Sequence, residues 1–381
     1  MINYFIYLLA CIGLAYCVLI GIYHYWFLQL KKYVPVQKQA AQTFFSIIIP
    51  ARNEAIFIED CLKKIQAQNY PSDLFEVIVV NDHSTDETGA IVEMMKSSFS
   101  SLRLINLSDH VTGNINAYKK RAIEIAVAET KGEWIITTDA DCAVLPNWLL
   151  NFDQFIQEKD PVFVAAPVMF SNTKTWLGLF QLLDFMSLQG ITAAAVAAGF
   201  HSMCNGANLA YSKKAFYAVG QFKGIDQLAS GDDMFLMYKI KKEFPGQLGF
   251  LFSDEMIVTT APMPDWKSFF NQRIRWASKA DSYSERTIFW VLVLVYIFNA
   301  GLLLGLIAGI FLKGIYPGIA YILLLKTIVE MIFLYPVAQF FKLGSTLWLF
   351  PFMQPFHMVY TVVAGWLGKF GTYQWKGRTV K

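Results

Sequence analysis

Apolar residues are arranged in two different ways along the chain. Long apolar blocks occupy both ends, whereas the middle alternates short apolar runs with segments of helical periodicity. Residues 3–30 are almost entirely apolar and aromatic, and a membrane-spanning helix needs about 20 such residues. They lack the basic start and the small-residue cleavage site of a signal peptide. We therefore expect an N-terminal transmembrane helix over residues 1–30, and Lys31 and Lys32 after it place the next domain in the cytoplasm.

Three further apolar blocks follow near the C-terminus, at residues 288–312, 315–341 and 347–370. We expect residues 288–370 to form transmembrane or re-entrant helices. Three full crossings would leave the C-terminus outside. The tail at residues 371–381 is basic, however, with Lys376, Arg378 and Lys381, which argues for the cytoplasm. Pro351 and Pro355 favour a broken, re-entrant or interfacial last block with a cytoplasmic tail.

Two polar features lie within apolar segments. Lys326 and Glu330 stand four residues apart, so they share a helix face and can neutralise each other. We interpret them as a structural ion pair, and the alternative is a polar contact lining the path of a lipid or polymer. Residues 176–199 are also mostly apolar. Because the residues before and after them contribute to one site, as argued below, we expect a buried or interfacial helix rather than a crossing.

Residues 42–284 alternate between strand and helix patterns. Four continuous apolar runs predict buried strands, and these are FFSIIIP, FEVIVVND, LRLINL and EWIITTDAD. The segments between them have helical spacing, and Ser84 and Thr85 are candidate N-caps of the second helix. Continuous apolar strands separated by helices predict an α/β domain with a doubly wound, mostly parallel sheet.

Composition and charge narrow the function. The 381 residues are 55% hydrophobic, which is too apolar for an ordinary soluble protein. The formal net charge of +3 gives no reason to expect a nucleic-acid partner. Five scattered cysteines contain no C-x-x-C pair and fit a reducing compartment. Neither a G-x-G-x-x-G after a strand nor a P-loop motif is present, so the usual dinucleotide and P-loop nucleotide folds are not supported.

Polar residues follow three of the predicted strands, at the edge where such sheets bind ligands. The first strand ends in PARNE, the second in Asn81 and Asp82, and the fourth in Asp139-Ala140-Asp141. Alternate residues of an extended chain point to the same side, so Asp139 and Asp141 can reach one ligand. Two adjacent carboxylates raise each other's pKa unless a cation relieves them. Mg²⁺ or Mn²⁺ carrying a nucleotide diphosphate would be a suitable cation between these two carboxylates. A solvated acidic turn is the alternative.

Other acidic positions carry two interpretations each. Asp82 could accept a hydrogen bond from a base or a ribose hydroxyl, or could be a turn or helix-cap aspartate. His83 beside it has no partner visible in the sequence and is interpreted as a loop histidine. Asp232 and Asp233 precede a helical apolar run, so they could cap that helix or supply a general base for an acceptor hydroxyl.

The segment DWKSFFNQRIRWASKAD is amphipathic and cationic. Its aromatic residues suit a membrane interface, and its cations suit anionic headgroups; these cations are Lys267, Arg273, Arg275 and Lys279. In the functional interpretation, Gln272 and Arg275 hold a leaving diphosphate and Trp276 offers a flat face to a sugar.

These motifs together resemble one family. Residues 44–284 are similar to the membrane-bound family 2 glycosyltransferases, which are inverting enzymes of the GT-A fold and include cellulose, chitin and hyaluronan synthases and ceramide glucosyltransferases. The matching pieces stand in order, and they are IIIPARNEA, VIVVNDHSTDET, Lys119 before a helix, DAD at 139–141, GDD at 231–233, and Q-x-x-R-W from Gln272 to Trp276. The order of several weak motifs makes the resemblance specific.

The resemblance implies a role for each matching residue. Those expected around the nucleotide are Pro50, Arg52, Glu54, Asp82 and Lys119. Asp139 would contact the nucleotide sugar and Asp141 a divalent metal, Mg²⁺ or Mn²⁺, with Asp139 beside it. Those expected at the reacting groups are Asp233 as the base, Gln272 and Arg275 on the pyrophosphate, and Trp276 at the acceptor. The family usually has Glu where this chain has Asp232, so the base could be either member of the pair, and we favour Asp233.

The expected function is an inverting, metal-dependent transfer of a sugar, with a UDP-sugar as the expected donor. The expected acceptor is a membrane-associated lipid or lipid-linked glycan, and the enzyme would be an integral protein of a bacterial inner membrane with a cytoplasmic catalytic domain. A processive polysaccharide synthase is the alternative within enzymes. A catalytically silent scaffold that binds sugar nucleotides is the alternative outside them. The sequence gives no oligomeric state.

Overall fold

The computed structural model describes residues 2–35, 39–111, 113, 115–375 and 378–380. Its strands are β1 (Phe45–Ala51), β2 (Phe75–Asn81), β3 (Leu102–Asn106), β4 (Trp134–Thr137), β5 (Phe163–Ala165), β6 (Val168–Phe170), β7 (Leu209–Ser212), β8 (Leu248–Phe250), β9 (Val258–Thr260), β10 (Tyr373–Trp375) and β11 (Arg378–Val380). Its helices are α1 (Ile2–Gln29), α2 (Ile58–Gln66), α3 (Thr88–Met95), α4 (Tyr118–Glu129), α5 (Trp148–Lys159), α6 (Trp176–Ala197), α7 (Lys213–Ala218), α8 (Asp232–Glu243), α9 (Trp266–Ala277), α10 (Arg286–Ala308), α11 (Tyr316–Phe340) and α12 (Phe350–Phe370).

A seven-stranded sheet forms the centre of the α/β domain, in the order β3-β2-β1-β4-β7-β5-β8. All of its strands are parallel except β7, which runs antiparallel to both β4 and β5. A small parallel pair, β6 and β9, lies beside it, and β10 and β11 pair antiparallel near the C-terminus. The mostly parallel α/β sheet predicted from the apolar runs is confirmed.

Burial on both faces explains the continuous apolar character of β1. In the central register Ile47 pairs with Val77 of β2 and with Ile136 of β4. Ile47 belongs to one apolar core and its neighbour Ile48 to the other, because successive side chains of a strand point to opposite faces. Both cores exclude solvent, so the strand interior favours apolar residues, and the buried Ser46 is accommodated because its hydroxyl donates to Glu76 of β2 at 2.7 Å.

The helix after β2 begins later than the sequence suggested. It starts at Thr88, whose backbone N–H donates to Asp86 Oδ1 at 3.1 Å. The prediction that Ser84 and Thr85 cap this helix is wrong. Ser84 Oγ accepts from the Asn53 N–H at 3.1 Å, and the Thr85 N–H donates to Asn53 Oδ1 at 2.8 Å. These two residues therefore tie the loops after β1 and β2 together at the sheet edge.

Four helices among the described residues are long and apolar enough to cross a membrane by length and composition, and they are α1, α6, α10 and α11. Of these, α6 is largely buried inside the protein. Its polar residues have internal partners: Gln181 pairs with the backbone of Met263, and Gln189 accepts from the Val168 N–H at 3.0 Å. The helix therefore lies inside the protein between the sheet and α1, as the interpretation of a buried segment required.

Buried polar groups join α1, α11 and α12. Lys326 Nζ lies 2.6 Å from Glu330 Oε1 and 2.7 Å from Gln354 Oε1. Tyr16 and Gln354 both donate to Glu330. The expected ion pair is therefore present and extends to two further helices. Pairing is required here, because an isolated charge in so apolar a setting is very costly.

The last apolar block is one continuous helix, α12, with Pro351 in its first turn and Pro355 inside it. It packs against α9 and α10, and Phe356 contacts the rings of Trp176 and Trp266. The block is therefore not broken, and it lies against the amphipathic segment of the α/β domain. Lys376 and Lys381 of the basic tail lie outside the described residues.

Candidate active site

The ends of β1, β2 and β4 open into a cavity of about 1180 Å³. All of the site residues predicted from the sequence line it, and these are Pro50, Arg52, Glu54, Asp82, Lys119, Asp139, Asp141, Asp232, Asp233, Gln272, Arg275 and Trp276. They come from strand ends, from the starts of α4 and α8, and from α9. Positions nearly 230 residues apart in sequence therefore face the same space.

Lys119 connects the DAD and GDD motifs. Its Nζ lies 2.7 Å from Asp139 Oδ1 and 3.4 Å from Asp232 Oδ2. Burial by itself lowers the pKa of Lys119, but the two carboxylates outweigh it and the net shift is upward. Burial likewise raises the pKa of Asp232, and the nearby ammonium groups, Lys119 first among them, reverse this to a net lowering. Both groups are therefore charged at neutral pH.

Asp232 and Asp233 have different partners. Asp232 faces Lys119, whereas Asp233 Oδ2 accepts from the Gly206 N–H at 2.9 Å and its Oδ1 from the Met234 N–H at 2.7 Å. Neither aspartate caps α8, because the N-cap position belongs to Gly231, with a φ of 79°. The helix-capping alternative is therefore wrong.

Gly206 was not predicted from the sequence, and its lack of a side chain shapes the site. A Cβ at this position would lie 3.3 Å from Lys119 Nζ and 3.5 Å from Asp232 Oδ2. Thr137 Oγ1 donates to the Gly206 carbonyl at 3.0 Å. The glycine therefore leaves room for the Lys119 ammonium beside Asp232, while its own N–H donates to Asp233.

Asp139 and Asp141 offer oxygen ligands on one side of the chain. Their carboxylate oxygens and the Cys142 sulfur lie within 4.8 Å of one another. Thr260 Oγ1 donates to Asp141 Oδ2 at 2.9 Å, which fixes that side chain. Burial, with the two carboxylates, raises the pKa of the Cys142 thiol, and sulfur is a poor ligand for a hard divalent cation. The donor set that remains is carboxylate oxygen, which suits Mg²⁺ or Mn²⁺.

The loop after β2 is held by Arg52. Its Nη1 donates to the carbonyl of Asp82 at 2.8 Å and to that of His83 at 3.1 Å. The Asp82 side chain is buried, and its Oδ1 lies 3.0 Å from His83 Nδ1. The interpretation of His83 as a loop histidine is confirmed, and the structure adds a partner that the sequence did not show, the neighbouring Asp82 carboxylate.

The amphipathic segment forms α9, which Asp265 caps by accepting from the Ser268 N–H at 2.9 Å. Gln272, Arg275 and Trp276 project from it toward the cavity lining. Arg273 is 3% exposed and pairs with Asp184 of α6 at 2.7 Å. The assignment of Arg273 to lipid headgroups is therefore wrong, since the residue points into the protein.

Two further lysines were missed. Lys120 Nζ donates to the carbonyl oxygens of Leu228 and Ser230 and so anchors the loop that leads into the GDD motif. Burial lowers its pKa to about 8. Lys279, which was expected at lipid headgroups, instead lines the cavity near Asp233, and burial lowers its pKa. No local pattern marks these two as site residues, because their partners are distant in sequence.

The fold and this constellation define a class of protein, a glycosyltransferase of the GT-A fold. A mannosyltransferase of Pyrobaculum calidifontis, solved with GDP-Man and Mn²⁺, superimposes with a TM-score of 0.62 over 97% of this chain and 99% of its own, at 18% identity. That likeness concerns the fold.

Sequence comparison identifies the family. The profile of glycosyl transferase family group 2 matches residues 134–367, more than half of the chain, and that of glycosyl transferase family 2 matches residues 46–220. The chain therefore belongs to glycosyltransferase family 2.

Two curated relatives show how far the similarity extends. A probable glycosyltransferase, YdaM of Bacillus subtilis, is 28% identical over 239 residues, or 61% of this chain and 54% of the relative. A beta-monoglucosyldiacylglycerol synthase of Nostoc sp. is 29% identical over 136 residues, or 36% of this chain and 28% of the relative. The match thus spans about half the length of the first relative and less than a third of the second.

Proposed function

We propose that this enzyme transfers a sugar, with inversion, from a nucleotide sugar to a lipid or lipid-linked glycan in the membrane. One observation carries the acceptor assignment. The cavity that holds Asp139 and Asp233 is also lined by Leu292 and Ile297 of α10 and by Trp366 of α12. These three side chains are also 40%, 47% and 59% exposed to solvent. The cavity therefore opens between two apolar helices, where a lipid tail could remain in the bilayer.

The donor would bind over the strand ends. Arg52, Glu54 and Asp82 would surround the nucleotide, a UDP-sugar being our first choice, and Lys119 would lie beside the sugar phosphate. Asp139 and Asp141 would hold the divalent cation, Mg²⁺ or Mn²⁺. When bound, the cation would neutralise charge on the diphosphate. The Mn²⁺ and GDP-Man bound to the mannosyltransferase of similar fold support this arrangement.

Asp233 would act as the general base. It would take the proton of the acceptor hydroxyl while that oxygen attacks the anomeric carbon and the bond from this carbon to the diphosphate oxygen breaks. The amides of Gly206 and Met234 hold the carboxylate in place. Asp232 pairs with Lys119 and has a lowered pKa, which makes it a poor candidate for the base.

The diphosphate would leave toward α9. Gln272 and Arg275 would contact it, and Lys279 adds a second positive charge near Asp233. Groups fixed by the fold before the reaction stabilise developing charge without reorganising. Trp276 would contact the acceptor. No covalent sugar–enzyme intermediate is needed.

Addition of a single sugar fits the membrane helices better than extrusion of a polymer. Glu330 and Gln354 line the cavity on the membrane side, and both are bonded to the fully buried Lys326. Where the cavity reaches α1, α11 and α12, these polar groups bond to one another and offer a passing sugar chain few free hydrogen-bonding groups. A growing polysaccharide would need such a path.

The proposed topology has three crossings. Residues 1–30 (α1) would cross once, residues 42–284 would form the cytoplasmic domain, and α10 and α11 would cross out and back. The rest of residues 288–370, α12, would lie along the inner surface against α9. The basic tail, residues 371–381, would then be cytoplasmic like Lys31 and Lys32. The expected membrane is a bacterial inner membrane.

A donor screen tests this proposal. The detergent-purified full chain is incubated with each common nucleotide sugar, Mn²⁺ and a lipid extract, and both nucleotide release and lipid products are measured. We expect one donor to give a lipid whose mass increases by a single sugar. A ladder of sugars would refute single addition, and nucleotide binding without any release would support the silent scaffold.

A further inference from the structure

Arg273 occupies an unusual position for a cation in an amphipathic helix. Its side chain is 3% exposed and that of Asp184, its partner on α6, is 1% exposed, with 2.7 Å between Nη2 and Oδ2. Asp184 also accepts from the Tyr360 hydroxyl of α12. Three helices therefore meet around one buried ion pair.

The same guanidinium contacts two members of the Q-x-x-R-W motif. Its Nη1 donates to Gln272 Oε1 at 2.9 Å. Its central carbon lies 4.2 Å from the centre of the Trp276 ring. Arg273 thus touches a residue proposed to hold the diphosphate and a residue proposed to contact the acceptor.

The contact with Gln272 has a definite chemical consequence. A guanidinium has only donors, so it must take the amide oxygen of Gln272 and not the nitrogen. With its oxygen held in this way, the amide keeps its NH₂ group as the end that an anionic diphosphate can contact. A lysine could supply the charge but not the planar group that stacks on an indole while donating in its own plane.

A role in stability alone explains this pair poorly. Burying two charges costs several kcal/mol of desolvation that their attraction only roughly offsets, so apolar residues of similar size would serve packing as well. The pair is therefore better explained by the orientation that it imposes on its neighbours.

We propose that Arg273 is a positioning residue, anchored by Asp184, which orients the Gln272 amide toward the leaving diphosphate and fixes the Trp276 ring at the acceptor side. The inference rests on the proposed function, in which Gln272 contacts the diphosphate. It adds a residue pair that acts through the motif.

The test is a double-mutant cycle on nucleotide affinity. UDP and GDP are titrated, each with Mn²⁺, into the full chain carrying Gln272→Ala, Arg273→Lys or both. We expect each single change to weaken the better nucleotide about five- to tenfold, which is the effect of losing about one hydrogen bond. In the Gln272→Ala background, Arg273→Lys should weaken it less than about twofold, because its target is absent.

Two further variants keep the test decisive. Asp184→Asn retains Arg273 and nearly the same side-chain shape, and it should weaken nucleotide binding as Arg273→Lys does. It replaces Arg273→Lys in the cycle in case the lysine variant folds poorly. Glu76→Gln alters another buried carboxylate, bonded to Ser46 Oγ at 2.7 Å, at the opposite end of β2. It should lower the thermal unfolding midpoint without changing nucleotide affinity.

The outcomes separate the inference from the proposed function. Equal losses from Arg273→Lys in the wild-type and Gln272→Ala backgrounds would overturn the inference alone, since the arginine would then act independently of Gln272. Unchanged affinity in Gln272→Ala would overturn the diphosphate role of Gln272, and the positioning role with it. Coupled losses, with Glu76→Gln unaffected, support both.

Discussion

Removing the lysine between the two acidic motifs should strengthen metal binding while stopping catalysis. Lys119→Met deletes the ammonium that lies 2.7 Å from Asp139 and 3.4 Å from Asp232. In the native site this charge occupies one oxygen of Asp139 and repels a divalent cation. In the variant Asp139 and Asp141 lose that competitor, so Mn²⁺ should bind more tightly.

The size of the effect follows from the contact. A charge-assisted hydrogen bond contributes roughly 1.5–3 kcal/mol. Because the Asp139 side chain is 37% exposed, solvent screens the pair and the lower limit, about 1.5 kcal/mol, is appropriate. About 1.4 kcal/mol is a tenfold change, so Mn²⁺ affinity should rise about tenfold.

Calorimetric titration of Mn²⁺ without nucleotide measures this affinity, and sugar transfer is assayed in parallel. We expect transfer to fall by about two orders of magnitude, since the sugar phosphate loses a cation and Asp232 its partner. Lys63→Met removes an exposed lysine paired with Glu59 at 2.6 Å and should change neither property. Unchanged or weaker Mn²⁺ binding in Lys119→Met would refute the reasoning.

Three other changes test separate parts of the account. Gly206→Ala should slow transfer about tenfold and cost less than about 1 kcal/mol of stability, because the new Cβ lies 3.3 Å from the flexible end of the Lys119 side chain. Gly231→Ala should lower the unfolding midpoint clearly, because its φ is +79° and its Cβ would lie 2.6 Å from the Phe235 ring. Equal unfolding midpoints for the two variants would contradict this difference. Leu292→Asn should raise the KM for the lipid acceptor severalfold and leave donor hydrolysis unchanged. Leu304 is exposed on α10 but does not line the cavity, so Leu304→Asn should leave the acceptor KM unchanged. Equal acceptor KM values for the two variants would contradict entry of the lipid between α10 and α12. Burial lowers the pKa of His201 from 6.5 to about 4. Between these pH values the unfolded chain binds a proton at His201 that the folded chain does not, so the stability of the folded protein falls as pH falls. The difference in unfolding midpoint between wild type and His201→Gln should therefore shrink from pH 6.5 to pH 4, and a constant difference would refute the lowered pKa of His201.

Local patterns were sufficient for much of the fold. The first four strands are continuous apolar runs bounded by polar residues, so β1 to β4 could be located from the sequence. The short strands β5 to β11 were not assigned, and neither was the antiparallel pairing of β7 with its two neighbours, β4 and β5. Three or four residues carry too little periodicity to show which strand they will pair with.

The site residues also fall into those that local sequence predicts and those that only the tertiary structure shows. DAD, GDD and Q-x-x-R-W are short motifs, and a strand end or helix start places each of them. Arg273 and Asp184 are 89 residues apart, and the sequence around neither residue predicts their contact. The same holds for Ser84 and Thr85, which could cap a helix by local rules but bond to Asn53 in the folded chain. Tertiary partners decided these cases.

The central claim is that Asp233 deprotonates a lipid acceptor beside a metal-bound nucleotide sugar. Its most direct test is transfer of radiolabelled sugar to extracted lipid by wild type, Asp233→Asn and Asp141→Ala, with nucleotide affinity measured in the presence of Mn²⁺. The account predicts that both variants lose transfer, that Asp233→Asn still binds nucleotide and that Asp141→Ala binds it more weakly. Normal turnover by Asp233→Asn would contradict the account.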